Sequence, residues 1–171
     1  MSKIAFTVIA LAALVVSPAS AHVTLEKRQA PVGSYYKAVF AVPHGCAGSP
    51  TVKLRVQIPE GVIGIKPMPK PGWTLEMVKG KYATEYELHG SKLSEGVKEV
   101  VWSGGKLADD NFDEFVFSSY LTAGLKPDTT LYFPVVQECE QGVSRWIDIP
   151  SEGPGHDSKT PAPGLKLIAK P

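Results

Sequence analysis

Hydrophobic and polar residues alternate in short runs along the chain, a pattern that predicts β-strands with one buried face. The clearest run is 51–58, in which every second residue up to Ile58 is aliphatic. Further strands are predicted at His22–Leu25, Tyr35–Val42, Trp73–Lys79, Tyr82–Leu88, Val97–Trp102, Phe112–Leu121, Thr130–Glu138 and Arg145–Ile149. About nine short strands bounded by turn-forming residues indicate an all-β fold, an antiparallel β-sandwich of immunoglobulin-like or cupredoxin-like type.

Composition agrees with this prediction and narrows the possible partners. The 171 residues include 16 Gly and 15 Pro spread along the chain, which favours turns and disfavours long helices. One of the 18 Lys and Arg residues is Lys3, so the basic residues beyond residue 21 equal the 17 acidic residues in number. Without a net positive field, nucleic acid is not an expected partner.

The first 21 residues have the pattern of an export signal. Lys3 precedes an apolar run from Ile4 to Val16, and Ala19–Ala21 has the small residues at which signal peptidase cleaves. The run is shorter than the roughly 20 residues of a membrane span, and no later stretch is long enough. We therefore expect a periplasmic or secreted protein without a membrane span, beginning at His22.

A histidine at a free amino terminus is a chelating group. Its α-amine and its imidazole together offer two nitrogens from one residue, once the amine has lost its proton. Nitrogen donors in a tetragonal arrangement suit Cu(II), which also leads the affinity order of divalent first-row metals. Cleavage after Ala21 would give His22 this property, and cleavage elsewhere would remove it.

The mature chain is predicted to contain one domain, 22–150, followed by a Pro- and Gly-rich tail, 151–171. The stretch 151–164 is expected not to pack, whereas Leu165–Ile168 is a candidate for docking onto the domain.

Cys46 and Cys139 are the only cysteines of the chain. In an exported protein an even number of cysteines favours a disulfide, which here would close a long loop and stabilise the fold by roughly 4 to 5 kcal/mol. Copper ligation by thiolates is the alternative, and the lack of a C-x-x-C spacing disfavours it.

Strand parity places two unusual side chains on outward faces. In Phe112–Leu121, Phe115 and Phe117 have the parity of the core, which directs Glu114 outward. The two isoleucines of Arg145–Ile149 point to one face of the strand, and Trp146 points to the other. This tryptophan is therefore expected among polar neighbours, unless a second layer or a loop buries it.

These features together resemble the YcnI family of secreted copper-binding domains. The resemblance rests on the His-Val start at His22, the Pro-Gly-Trp turn at 71–73, the Asp-Glu-Phe strand at 113–115 and the late tryptophan strand. It implies a β-sandwich with an exposed Cu(II) held by the amine and Nδ1 of His22, a mono-histidine brace, with Glu114 and Trp146 beside it. Asp113, Glu138 and Glu140 are alternatives for the carboxylate. The family's proximity to copper-handling genes implies delivery or storage, with other copper-handling periplasmic or membrane proteins as partners.

Two other functions compete with this hypothesis. A copper-dependent oxidative enzyme would add a second imidazole, but His44, His89 and His156 are each expected to be solvated loop residues. A metal-free immunoglobulin-like module would instead offer a sheet edge to another chain. No nucleophile elbow or phosphate-binding glycine loop suggests a different enzyme class.

Overall fold

The computed structural model describes residues 22–150 and 158–170, and within these ranges the chain forms strands and turns but no α-helix. The predicted export segment 1–21 lies outside the described residues. The strands are β1 (Thr24–Leu25), β2 (Gln29–Pro31), β3 (Ser34–Val42), β4 (Thr51–Gln57), β5 (Val62–Pro67), β6 (Thr74–Leu88), β7 (Ser91–Leu107), β8 (Asp113–Leu121), β9 (Thr130–Tyr132), β10 (Val135–Cys139), β11 (Val143–Trp146) and β12 (Gly164–Ile168).

Two antiparallel sheets form the sandwich. One has four strands in the order β1-β3-β8-β5, and the other has five in the order β11-β10-β4-β7-β6. A third, smaller sheet has the order β2-β12-β9, in which β12 runs parallel to β2 and antiparallel to β9. The predicted all-β sandwich is therefore confirmed.

Large apolar side chains from both main sheets fill the space between them. Phe40 and Phe117 come from the four-stranded sheet, whereas Leu54 and Trp102 come from the five-stranded sheet, and all four are fully buried. These residues have the core-facing parity of their strands, so the period-two pattern of the sequence reflects the burial of one face.

Some predicted boundaries differ from the structure for local reasons. The two strands predicted across 73–88 form the single strand β6, whose register against β7 shifts on either side of Gly80. The run predicted at 130–138 divides into β9 and β10 at Pro134, which has no N–H to donate to a ladder.

The folded structure continues beyond Pro150. Residues 158–163, expected not to pack, return along the domain. There the backbone carbonyl of Asp148 accepts a hydrogen bond from the Ala162 N–H, and the backbone N–H of Asp148 donates one to the Thr160 carbonyl. Leu165 and Leu167 in β12 are fully buried, so the docking expected for this segment is observed. Among the residues described, no helix is long and apolar enough to cross a membrane.

Candidate metal centre

His22 and Trp146 meet at one edge of the sandwich. β1 is the edge strand of the four-stranded sheet, and β11 is the edge strand of the five-stranded sheet. The His22 ring lies edge-on to the Trp146 indole, with 5.4 Å between ring centroids and 76° between planes. The structure thus brings together two of the three residues expected at the copper site, although they are far apart in sequence.

The outward orientation predicted for Trp146 is wrong. Trp146 pairs with Val135, which pairs with Val56, and this row faces the core, leaving the indole only 6% exposed. Ile147 and Ile149, which parity placed inside, are instead 40% and 59% exposed. The larger apolar area of the indole favours its burial over that of either isoleucine, so the last strand takes the opposite parity.

A buried glutamine holds the indole in place. The Nε1–H of Trp146 donates a hydrogen bond to Oε1 of Gln137, at 3.0 Å. The amide nitrogen of Gln137 in turn donates to the carbonyl of His44 and to the hydroxyl of Thr51, at 2.7 Å each. One fully buried side chain therefore links the tryptophan strand to the loop that carries His44.

That loop, residues 43–50 between β3 and β4, brings a second histidine to the same indole. The rings of His44 and Trp146 have centroids 6.4 Å apart and planes at 74°. The disulfide between Cys46 and Cys139, predicted from sequence and confirmed here, fastens the loop to β10. His22 and His44 thus flank one tryptophan.

His44 lies in a loop, as expected, and its side chain is half-buried with its ring near the indole. The sequence held a signal for this position: His44 lies two residues before a cysteine whose disulfide partner, Cys139, ends β10 at the turn to β11. His89 differs, because it lies at the turn after β6, where its Nε2 contacts the hydroxyl of Tyr35. His156 lies outside the described residues.

Glu114 is exposed, as its parity predicted, but the structure does not bring it to the indole. It pairs with Ala41, which pairs with Thr24, on the outer face of the four-stranded sheet. Two strand spacings put its Cα about 10 Å from that of Thr24. Because Trp146 lies between the sheets, Glu114 and Trp146 are on opposite sides of the four-stranded sheet.

The three alternative carboxylates all have lysine partners. Asp113 lies 2.6 Å from Lys70, Glu138 lies 3.2 Å from Lys53, and Glu140 lies 2.7 Å from Lys106. Within residues 22–150 and 158–170, no three His, Cys, Asp or Glu side chains are grouped so as to hold a metal ion.

An open groove of about 280 Å³ begins at His22 and is lined by β1, Arg28 and residues 161–164. The returning segment that forms its far wall is anchored to Asp148, whose carboxylate accepts hydrogen bonds from the hydroxyls of Ser158 and Thr160. These two bonds lower the pKa of Asp148. The edge that carries His22 is thus accessible to a ligand or partner from one side.

Comparison with known proteins gives a family and a fold. An uncharacterized protein from Nocardia farcinica, whose crystal structure has an immunoglobulin-like fold, superposes with a TM-score of 0.63 at 26% identity, covering 86% of this chain and 98% of that one. No curated protein matches the chain. Residues 22–167 match DUF1775, a domain family of unknown function of the YcnI type. The chain therefore belongs to the DUF1775 family.

Proposed function

We propose that the protein is exported to the periplasm and, after removal of residues 1–21, binds one Cu(II) ion at His22 for delivery or storage. The observation that carries this proposal is the position of the His22 ring, edge-on to the buried Trp146 at the open edge of the sandwich. The expected donors are the new α-amine and the imidazole of His22, which suit the preference of Cu(II) for nitrogen.

The surroundings of His22 support a fixed donor. Trp146 offers no lone pair, because its indole nitrogen is a hydrogen-bond donor only and is already bonded to Gln137. The indole therefore acts as a rigid apolar wall that limits the rotation of the imidazole and shields one side of a bound ion. Such packing around a ligand favours a single geometry at the metal.

The open side of the site supports transfer rather than permanent retention. The groove beside His22 leaves room for an incoming donor to bind copper before the first donors release it. A site with few protein ligands and an accessible position is suited to exchange with another copper-handling protein. Glu114 stays a candidate donor, because Val23 and Leu25 are buried and the alternation of β1 gives His22 the outer face on which Glu114 lies.

The proposal is tested on protein purified from the periplasm, after mass spectrometry of its amino terminus. Electron paramagnetic resonance during Cu(II) titration should show one type 2 copper per chain in the wild type. The signal should be lost or altered in His22→Ala and in a variant with one glycine inserted before His22. The insertion is the sharper control, because it keeps the imidazole and removes only the adjacent amine.

Two results would contradict the proposal. A mature terminus other than His22 would remove the chelate, and equal copper affinity in the insertion variant would favour a metal-free interaction module. Sustained copper-dependent oxygen consumption with a polysaccharide substrate would instead support an oxidative enzyme.

A further inference from the structure

The tip of the hairpin formed by β6 and β7 lies against the outer face of the four-stranded sheet. Leu88 packs on Gly64 of β5, where an added Cβ would lie 2.8 Å from the leucine Cδ2. The next residue, His89, stacks on Tyr35 of β3, with 6.2 Å between ring centroids and 24° between planes. Tyr35 pairs across the ladder with Tyr120 of β8, and their rings meet edge-on at 5.2 Å. Three aromatic rings from two sheets therefore converge at the hairpin tip.

The turn itself does not require an imidazole at this tip. His89 and Gly90 have φ values of 52° and 73°, and a two-residue hairpin turn with positive φ at both positions favours Asn, Asp or Gly at the first. The hydroxyl of Tyr35 bonds to Nε2 of His89, which holds the two rings side by side. The histidine thus extends an aromatic surface that begins on β3.

A pocket of about 370 Å³ opens between the hairpin tip and the sheet. It is lined by Tyr35, Tyr120 and residues 87–90. The carboxylate of Glu87 is exposed, and its cross-strand neighbour Lys92 bonds instead to Glu85, at 2.9 Å. Within the ranges described, Glu87 forms no salt bridge, so the pocket contains a negative charge that the chain does not neutralise.

The rings and the carboxylate together favour a cationic ligand. Aromatic faces attract ammonium groups, and quaternary ammonium ions are recognised in this way. Elsewhere in residues 22–150 and 158–170, lysines lie over the rings of Phe115 and Tyr82. No such internal cation covers Tyr35 or Tyr120 in that part of the chain, so their faces can receive one from a ligand.

The next row of the same outer face carries positive charge. Lys37 of β3 pairs with Ser118 of β8, and Ser118 pairs with Lys66 of β5. All three side chains are exposed, and neither lysine has a carboxylate partner among the described residues. Lys37 follows Tyr35 by two residues, a separation of about 7 Å along the strand. An anionic group joined to a cation in the pocket can therefore reach these lysines.

We propose that this surface binds a zwitterion, with a methylated ammonium group between the three rings and Glu87 and an anionic group at Lys37 and Lys66. The lysines oppose the binding of a simple cation, and Glu87 opposes that of a simple anion, so recognition requires both charges on one molecule. Phosphocholine has this chemistry, either as a free solute or as the headgroup of phosphatidylcholine. The proposal goes beyond copper binding and does not depend on it.

Isothermal titration calorimetry with phosphocholine tests the site. The first comparison ligand is 3,3-dimethylbutyl phosphate, which has the same shape with carbon in place of the charged nitrogen. The second is choline, which lacks the phosphate. We expect phosphocholine to bind more tightly than either. Absence of phosphocholine binding, or equal affinity for phosphocholine and 3,3-dimethylbutyl phosphate, would overturn the proposal.

Variants of the aromatic side of the pocket should weaken phosphocholine binding. Tyr35→Leu removes a ring and should lower the affinity about two- to thirtyfold, the range of a cation–π contact. His89→Asn removes another ring and suits the positive φ of the turn. Glu87→Gln removes the negative charge. The matched controls are Phe112→Leu, a ring that is 60% exposed like Tyr35, and Glu76→Gln, an exposed carboxylate at the other end of β6.

The double variant Lys37→Gln with Lys66→Gln should lose the preference for phosphocholine over choline. Circular dichroism verifies that each variant folds, which we expect because every substituted side chain is exposed. Affinities in Tyr35→Leu and Glu87→Gln equal to those of their controls would overturn the proposal.

Vesicles distinguish the two sources of the ligand. Co-sedimentation with phosphatidylcholine vesicles would assign the site to a lipid headgroup, whereas binding of free phosphocholine without co-sedimentation would assign it to a solute. Equal retention on phosphatidylglycerol vesicles would overturn the proposal, because attraction of the lysines to negative lipid would then suffice. None of these measurements includes copper, so failure here leaves the binding proposed at His22 untouched.

Discussion

The indole nitrogen of Trp146 and the side-chain oxygen of Gln137 are 3.0 Å apart and form a hydrogen bond inside the sandwich. The same glutamine binds the carbonyl of His44, so the tryptophan and the histidine loop share one buried anchor. The geometry of the candidate site is therefore set by a residue that cannot reach a bound ion itself.

Replacing Gln137 with leucine should lower the free energy of unfolding by at least about 1 to 3 kcal/mol. The substitution leaves the Trp146 N–H and the His44 carbonyl without their partner in a buried environment. Urea unfolding followed by tryptophan fluorescence measures the change. The matched control is Gln141→Leu, because Gln141 is an exposed glutamine of the adjacent turn. Equal stability of the two variants would contradict the anchoring role.

Removal of the disulfide by Cys46→Ser with Cys139→Ser should destabilise the fold by about 4 to 5 kcal/mol, because the bond closes a long loop in the unfolded chain. The two cysteines are 93 residues apart. Equilibrium urea unfolding with and without a reductant provides the measurement. The reductant should lower the stability of the wild type and leave the serine variant unchanged; a wild type insensitive to complete reduction would contradict the prediction.

Glu114→Gln should raise the Cu(II) dissociation constant, because Glu114 projects from the outer face of the four-stranded sheet, the face that alternation with buried Val23 also gives to His22. Competition with a chromophoric copper chelator measures the constant. His22→Ala in the same assay shows the effect of losing a proposed donor. An unchanged dissociation constant in Glu114→Gln would remove the carboxylate from the ligand set.

The fold should lose stability in acid as the carboxylate of Glu60 becomes protonated. Its carboxylate accepts hydrogen bonds from Lys98, at 2.7 Å, and from Tyr86, at 2.8 Å. Partial burial alone would raise its pKa, but these bonds, one from the Ala83 N–H and the charge of Lys98 together lower it from 4.5. A carboxyl group whose pKa is lower in the folded state stabilises above its unfolded pKa, and this stabilisation is lost as the pH falls through the folded value.

We therefore expect Glu60→Gln to be less stable than the wild type at pH 7 and the difference to shrink progressively below pH 4.5. Thermal unfolding across this pH range is the measurement. Glu85→Gln is the control, because Glu85 and its partner Lys92 are largely exposed, at 52% and 77%. A difference that stays constant with pH would show that the charge of Glu60 does not stabilise the fold.

The strand pattern could be predicted from sequence because most strands bury one face only. Phe115 and Phe117 in β8 are buried and Glu114 is exposed, as their alternation predicts. The short strands β2 and β12 carry too few residues for a period to be evident. Leu165 and Leu167 become core residues only because the chain returns to pair with β2 and β9.

The candidate site was less predictable, because edge strands are too short for parity to decide their orientation. In β11 the alternation of Trp146 with isoleucine allows either face to be buried, and the facing row of Val135 and Val56 decides in favour of the indole. His44 could have been placed only by combining the disulfide with the hairpin of β10 and β11. Single-strand patterns do not contain that long-range information.

The parallel pairing of β2 with β12 joins Ala30 to Leu167. A segment near the start of the domain therefore pairs with one that is synthesised much later. A nascent chain that still lacks β12 leaves the apolar surface of the small sheet uncovered. Contacts between such distant segments slow folding, because the loop must close before they form. The small sheet should consequently be completed only after β12 has been synthesised.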